Sequence, residues 1–201
     1  DRLVARPRPA VITLAAVRRA LAGYRPTVAH WPEAQPAAVA LILVEEADGL
    51  AALFIHRAER AGDPWSGQVA LPGGRREPAD RDLLATAVRE AREETGVDLA
   101  AAELLGAWDD LAPRATTLPP VVVRPFVFAL AQRPPLGTSP EVQRAFWLPL
   151  ARLTAPDVRS EMTLAVRGTT VTLPAYRVDG EVIWGMTERI VTPFLQLIGA
   201  L

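Results

Sequence analysis

The sequence has no cysteine and no lysine, and it contains only two histidines. A disulfide framework, a thiolate nucleophile and a cysteine-based zinc site are therefore excluded, and so is catalysis by a lysine amine. The net charge of −1 argues against a nucleic-acid partner held by bulk electrostatics. No apolar run approaches the roughly 20 residues of a membrane span, so we expect no membrane partner.

The residues that are present are typical of an ordinary globular protein. The 201 residues suffice for a substantial core, and 50% of them are hydrophobic. The first residues do not resemble a signal peptide, and we expect a cytoplasmic location.

Two parts of unequal size are expected along the chain. Residues 1–35 are predicted to be an N-terminal helical appendage and linker, and residues 36–201 the main domain. Apolar residues at helical spacing predict a helix over residues 11–24. We expect this helix to pack on the main domain, with a homodimer contact or a lid as the alternatives.

The stretch from Gly67 to Val97 joins a glycine turn to an acidic helix. A short apolar strand is interrupted at Pro72-Gly73-Gly74, where glycine allows the backbone to turn sharply and to approach a ligand closely. Over residues 82–95, helical periodicity separates an apolar stripe from an arc of acids. The acids are Glu90, Glu93 and Glu94.

Like charges three or four positions apart destabilise an isolated helix, so this arc indicates a positive charge among the carboxylates. Arg89 can reach Glu93 at i,i+4, but two acids then remain without a partner. Clustered carboxylate oxygens suit Mg²⁺ or Mn²⁺ together with substrate phosphates and water. The alternative is a solvated helix face carrying Arg–Glu pairs.

At residues 89–97, the segment R-E-A-R-E-E-T-G-V resembles the second half of the sequence box of the Nudix hydrolase family. The spacer before it is one residue longer than in the common box, and the early Glu of that box falls on Arg81. The longer spacer, GGRREPADRDLLATAVRE, resembles the coenzyme A pyrophosphatase branch, with Glu77 and Asp80 as its acids. The stretch IWGMT resembles the same branch, whereas one upstream arginine of that branch is out of register here.

The resemblance implies an α/β fold, a Nudix-type α/β/α sandwich with a mixed β-sheet. It also implies hydrolysis of a phosphoanhydride, with Mg²⁺ or Mn²⁺ as the cofactor. At the matching positions, the implied metal ligands are Glu90, Glu93, Glu94 and the carbonyl of Gly74. Arg89 would orient Glu93, and one of the three glutamates could double as the general base. Some family members use a glutamate from a later loop as the base, for which Glu141 is the candidate and an ordinary surface acid the alternative.

Several side chains near the glycine turn are candidates for binding the substrate. Arginine can bind phosphate bidentately, and the arginines in question are Arg57, Arg60, Arg75 and Arg76. Trp65 and Phe126 could stack on adenine, although buried aromatic residues usually belong to the core. The loop at residues 112–120 is expected to form a rim of the substrate pocket.

We therefore expect a small-molecule nucleotide as the substrate. Coenzyme A or its thioesters come first, ADP-ribose or nucleotide sugars second, and an oxidised deoxynucleoside triphosphate last. The alternative is a nucleotide-binding regulator of the Nudix fold without turnover. Such a protein should have lost metal ligands, so the complete set of Glu90, Glu93, Glu94 and Arg89 favours an enzyme.

Overall fold

The computed structural model describes residues 11–30, 32–113, 118–166 and 168–201. The first ten residues of the predicted appendage and residues 114–117 of the predicted pocket rim lie outside these ranges. The described helices are α1 (Leu14–Leu21), α2 (Leu83–Thr95), α3 (Leu150–Leu153) and α4 (Gly185–Leu197). The described strands are β1 (Gln35–Glu46), β2 (Gly49–Arg57), β3 (Val69–Ala70), β4 (Gly73–Arg75), β5 (Glu103–Ala107), β6 (Val121–Leu130), β7 (Val142–Pro149), β8 (Arg159–Val166), β9 (Thr169–Val178) and β10 (Glu181–Trp184). No helix in these ranges combines the length and the apolar character needed to cross a membrane.

Seven of the strands form one mixed sheet, with β3-β2-β1-β6-β5 as its main order, β4 paired with β1 and β7 paired with β2. Strand β1 runs parallel to β6 and antiparallel to β2. Strands β8, β9 and β10 form a separate antiparallel sheet.

Helices cover both faces of the large sheet. Successive residues of β1 point to opposite sides of the sheet and therefore contact different helices. Ala38, Ala40 and Ile42 belong to the apolar cluster that contains the buried residues of α2. Leu41 and Leu43 belong to a second cluster, which contains the buried residues of α1 and α4. The predicted α/β/α sandwich with a mixed sheet is therefore confirmed.

Helix α1 lies against the main body of the protein. Its residues Leu14, Val17 and Leu21 are buried in the same cluster as α4. Just after the helix, the ring of Tyr24 stacks on Trp108 with ring centroids 4.5 Å apart.

Local sequence signals define the ends of α2. The side chain of Asp82 accepts a hydrogen bond from the backbone N–H of Ala85 at 2.8 Å, which caps the amino end. Gly96 ends the helix in the left-handed conformation, with φ of 73°. Helix α2 packs beside β4, so its acidic side chains lie next to the glycine turn.

Candidate active site

A cavity of about 580 Å³ opens beside the glycine turn. The β2–β3 loop, the amino end of β7 and the first turn of α4 form its other walls. Its lining is mixed, with acids and arginines as well as apolar side chains from β1, β6 and α4. Of the residues predicted from the sequence, Gly74, Glu90, Glu141, Arg57, Arg60 and Arg75 line it.

Glu94 lies directly behind the glycine turn, with 3% of its surface exposed. Its carboxylate accepts a hydrogen bond from the backbone N–H of Gly73 at 2.8 Å. Burial raises the pKa of Glu94 to about 7, and the negative charges of Glu90 and Glu141 act in the same direction. The hydrogen bond from Gly73 only partly offsets this increase.

Glu90 lies beside Gly74. A Cβ atom built on Gly74 would lie 2.3 Å from Oε1 of Glu90, so a side chain there would displace this carboxylate. Burial also raises the pKa of Glu90, and Glu93 and Glu141 contribute to the increase. The pKa values of Glu90 and Glu94 therefore both respond to the charge of Glu141 at the cavity wall.

Arg89 connects the acids of this region. Its Nη1 donates to Glu90 at 2.9 Å and to Glu93 at 3.0 Å. Its Nε and Nη2 donate to the two carboxylate oxygens of Asp80 at 3.0 and 2.9 Å, and Nη2 also donates to the carbonyl of Arg75. Arg89 thus holds Glu90 and Glu93 in place while it is itself held by Asp80.

Asp80 holds Arg89 in place, a role that the sequence did not predict. It is 5% exposed, and it accepts further hydrogen bonds from the Glu77 N–H and the Thr86 hydroxyl. The hydrogen bonds from Arg89 lower the pKa of Asp80 strongly, and those from Glu77 and Thr86 add to the effect. Its assignment to the spacer of the coenzyme A branch was the one signal for it.

Glu93 points away from the cavity. It lines a shallow groove of about 740 Å³ on the outer side of α2, together with Leu84, Val88 and Leu104. Although this outer groove is the larger of the two spaces, the acids and the glycine turn meet at the cavity, which is therefore the candidate active site. Among the predicted acids, Glu90 and Glu141 line the cavity and Glu94 lies behind the glycine turn. Glu93 lines the outer groove, although it shares the Nη1 of Arg89 with Glu90.

The donor chemistry of the cavity fits a divalent cation. In the described part of the chain, no three Asp, Glu, His or Cys side chains are grouped closely enough to form a metal site as they stand. The reason is visible in the hydrogen bonds, since Glu93 is turned toward Arg89 and Glu94 toward the N–H of Gly73. Burial raises the pKa of Glu90 and of Glu94, and a cation beside these carboxylates would offset that increase.

The four predicted phosphate-binding arginines differ in their surroundings. Arg57 forms an ion pair with Asp63 at 2.9 Å, and Arg60 forms one with Glu141 at 2.9 Å. Arg76 does not line the cavity, because its guanidinium donates to the backbone carbonyls of residues 80 and 81. We therefore remove Arg76 from the candidate phosphate-binding set.

The two predicted adenine-stacking residues also differ. Trp65 lines the cavity and packs with Met186 against the buried residues Val121 and Val123. Phe126 is 8% exposed and belongs to the core cluster under α2, away from the cavity. One wall of the cavity is thus apolar, whereas the wall around the glycine turn is charged.

Comparison with known proteins identifies the family of this chain. A sequence profile of the NUDIX domain matches residues 34–166. Mitochondrial coenzyme A diphosphatase NUDT8 of Homo sapiens is 31% identical over 183 residues, which are 90% of this chain and 76% of the human protein. The uncharacterized Nudix hydrolase NudL of Photorhabdus laumondii is 31% identical over 147 residues, 73% of this chain and 76% of that protein.

Two further relatives extend the comparison. An uncharacterized protein of Schizosaccharomyces pombe is 38% identical over 117 residues, 56% of this chain, and the match spans only 36% of the yeast protein. A crystal structure of a MutT/nudix family protein from Enterococcus faecalis superposes with a TM-score of 0.55 at 19% identity, covering 93% of this chain and 75% of that one. At this identity the superposition shows the fold alone.

The profile covers more than half of the chain and includes the glycine turn, Arg89 and all three glutamates of α2. The prediction made from residues 89–97 is therefore confirmed, and this chain belongs to the Nudix hydrolase family.

Proposed function

We propose that this protein is a Mg²⁺- or Mn²⁺-dependent hydrolase of nucleoside diphosphate compounds, with coenzyme A or an acyl-coenzyme A as the substrate. The observation that carries the reaction type is the position of Glu90 and Glu141 at the cavity and of Glu94 directly behind Gly73-Gly74, which supplies the carboxylate oxygens that Mg²⁺ prefers. The substrate is supported by the similarity to NUDT8, which is named a coenzyme A diphosphatase. The mixed lining of the cavity suits a ligand with a charged diphosphate and a less polar remainder.

Glu90, Glu94 and the carbonyl of Gly74 are the groups that would hold the ion. When bound, the ion neutralises the diphosphate and lowers the pKa of a coordinated water. Arg89 fixes the position of Glu90 through its hydrogen bond, and Asp80 fixes Arg89. Such positioning is the main contribution that a protein makes to phosphoryl transfer.

For the general base, the geometry favours Glu141 over Glu93. Glu141 lines the cavity, whereas Glu93 lines the outer groove. In the proposed reaction, Glu141 accepts a proton from water as the water oxygen bonds to one phosphorus. The bond from that phosphorus to the bridging oxygen breaks, and two phosphate monoesters leave.

The reaction is tested by product analysis, using chromatography and mass spectrometry with Mg²⁺ or Mn²⁺. The substrates are coenzyme A, ADP-ribose, NADH, diadenosine polyphosphates and 8-oxo-dGTP. We expect adenosine 3′,5′-bisphosphate and 4′-phosphopantetheine from coenzyme A. Turnover of ADP-ribose alone would keep the reaction type and overturn the choice of substrate. Nucleotide binding without any turnover would favour the regulatory alternative.

The choice of base is tested separately with Glu141→Gln, Glu93→Gln and, as a matched control, Glu161→Gln at an exposed site on β8. We expect Glu141→Gln to lower kcat by roughly 100-fold or more, in the range of general-base catalysis. A larger loss in Glu93→Gln than in Glu141→Gln would contradict the assignment. The predictions of a cytoplasmic location and a homodimer contact stay predictions.

A further inference from the structure

The arginines around the glycine turn are not equivalent as binding groups. Arg57 is paired with Asp63, and Arg60 is paired with Glu141, each at 2.9 Å. Asp63 also accepts a hydrogen bond from the backbone N–H of Trp65, so the Arg57–Asp63 pair is part of the loop structure. Both guanidinium groups therefore already face an acid of this chain.

Two further arginines near the turn have structural partners. Arg76 donates to the carbonyl of Asp80 from Nε at 3.1 Å and from Nη2 at 2.9 Å. Arg89 is surrounded by Asp80, Glu90 and Glu93. Movement of Arg76 would leave backbone carbonyls without these donors, and movement of Arg89 would leave three acids without their shared cation.

Arg75 is different. It lines the cavity and is exposed, and within the described ranges its guanidinium takes part in no hydrogen bond or ion pair. Its backbone is nevertheless fixed, because β4 pairs with β1 at Ala37 and the carbonyl of Arg75 accepts a hydrogen bond from Arg89 at 3.1 Å. A well-anchored backbone thus carries a side chain whose charge has no partner among the described residues.

Arg75 follows Gly74 directly, so its backbone lies beside the proposed reaction centre. Only its long side chain, which is exposed at the cavity, can carry its charge to another part of the substrate. The scissile diphosphate, next to Glu90 and Glu94, is neutralised by the ion of the proposed function. A phosphate monoester elsewhere on the substrate carries up to two negative charges near neutral pH and has no such ion. Guanidinium is well suited to bind it, because it can donate two parallel hydrogen bonds to phosphate.

We propose that Arg75 binds a phosphate monoester on the ribose of the substrate and thereby selects nucleotides that carry this extra phosphate. The inference rests on the proposed function, in that the same cavity binds the diphosphate. It assigns to Arg75 a role in specificity and leaves the cleavage step to the residues around Glu90. Removing its charge should therefore affect the recognition of one phosphate without affecting kcat.

The test is a binding measurement that requires no turnover. Adenosine 3′,5′-bisphosphate and AMP, which differ by one phosphate monoester, are titrated into the protein by calorimetry at constant ionic strength. The proteins compared are the wild type, Arg75→Gln and Arg19→Gln, which removes a matched exposed charge on α1. We expect the wild type and Arg19→Gln to prefer the bisphosphate about tenfold, the strength of a charge-assisted contact. Arg75→Gln should bind both ligands as the wild type binds AMP.

Four results would overturn the proposal. The first three are equal affinity of the wild type for the two ligands, a preference that survives in Arg75→Gln, and an equal loss of affinity for both ligands in that variant. The third of these would mean that Arg75 binds the phosphate that both ligands share. Absence of measurable binding of either ligand would also overturn it.

The turnover of paired substrates distinguishes this inference from the proposed function. Values of kcat/KM are compared for coenzyme A against dephospho-coenzyme A and for NADPH against NADH. If coenzyme A is not cleaved, the proposed substrate is wrong, while the preference within the second pair still decides the role of Arg75. We expect the preference to appear in KM and to disappear in Arg75→Gln, with kcat unchanged.

Discussion

Two buried acids of the site, Asp80 and Glu94, differ in the charge that surrounds them. Asp80 and Glu94 are 5% and 3% exposed. Asp80 accepts two hydrogen bonds from the guanidinium of Arg89, and its pKa is strongly lowered. Glu94 accepts one from a neutral backbone N–H, and burial raises its pKa to about 7.

This contrast shows which of the two carboxylates has its negative charge compensated by residues of the chain itself. A buried carboxylate is stable as an anion only when a cation or several donors compensate for the lost water. Asp80 has such partners, so its negative charge holds Arg89 in place. Glu94 forms no ion pair within the described ranges. Glu90 and Glu141 raise its pKa further, whereas the Gly73 N–H and the charge of Arg57 lower it. A cation beside Glu94, as in the proposed function, would also lower its pKa.

The largest effect is expected for Glu94→Gln. The amide can still accept the hydrogen bond from Gly73, but it cannot supply a negative charge to the proposed ion. We expect kcat to fall by at least about 100-fold, the upper end of what changes around metal ligands cause. Hydrolysis is measured at saturating Mg²⁺, with Glu161→Gln as the control for the loss of one acid. Activity within a factor of two of the wild type would refute the role of Glu94.

Gly74→Ala should have the next largest effect. The new Cβ would meet Oε1 of Glu90 at 2.3 Å, so the carboxylate must move. We expect kcat to fall roughly 10- to 100-fold, because a displacement of about 1 Å in a catalytic group can have such an effect. Kinetics are compared with those of Gly23→Ala, where a Cβ meets no atom within 4 Å. Unchanged kinetics in Gly74→Ala would show that Glu90 does not need this position.

Asp80→Asn removes the charge that holds Arg89 but keeps the shape of the side chain. We expect the free energy of unfolding to fall by about 2 kcal/mol. This decrease is smaller than the one expected when a buried charge loses every partner, because Glu90 and Glu93 still pair with Arg89. A decrease of kcat by about tenfold should accompany it, as for other residues that orient metal ligands. Asp82→Asn is the matched control, since asparagine also caps helices well. Denaturant unfolding and steady-state kinetics measure both quantities.

The smallest effect is expected in the pH dependence of the stability difference between Asp80→Asn and the wild type. The folded-state pKa of Asp80 lies below its unfolded value of about 3.9, so its stabilising effect is present above this pH and is lost as the pH falls toward the folded-state pKa. The stability deficit of Asp80→Asn should therefore shrink between about pH 5 and about pH 2. A deficit that stays constant over this range would contradict the low pKa.

The sequence predicted those parts of the fold and site that depend on neighbouring residues. Helix α2 was expected over residues 82–95 and is observed at Leu83–Thr95, because Asp82 and Gly96 are strong local caps. The proximity of Glu90 and Glu94 to the glycine turn followed from one motif. In these cases a few adjacent residues determine the geometry.

The contacts that the sequence could not predict join distant segments. The Arg60–Glu141 pair links two loops that are 81 positions apart. Glu93 was grouped with Glu90 and Glu94, and in the structure it lines the outer groove while it shares the Nη1 of Arg89 with Glu90. Such features depend on how the elements pack, and periodicity along one element does not contain that information.

The most direct test of the proposed metal site is a measurement of the free energy of unfolding of the wild type and of Glu94→Gln, each with and without Mg²⁺. The pKa of Glu94 is raised in the folded state, so its unfavourable effect is absent below its unfolded pKa and grows as the pH rises to about 7. Without Mg²⁺, Glu94→Gln should be more stable than the wild type by about 2 to 3 kcal/mol near pH 8 and by at most about 1 kcal/mol near pH 5. Addition of Mg²⁺ near pH 8 should stabilise the wild type and leave Glu94→Gln nearly unchanged. Equal stabilisation of both proteins by Mg²⁺, or a wild type that is more stable without it, would contradict the proposed metal site.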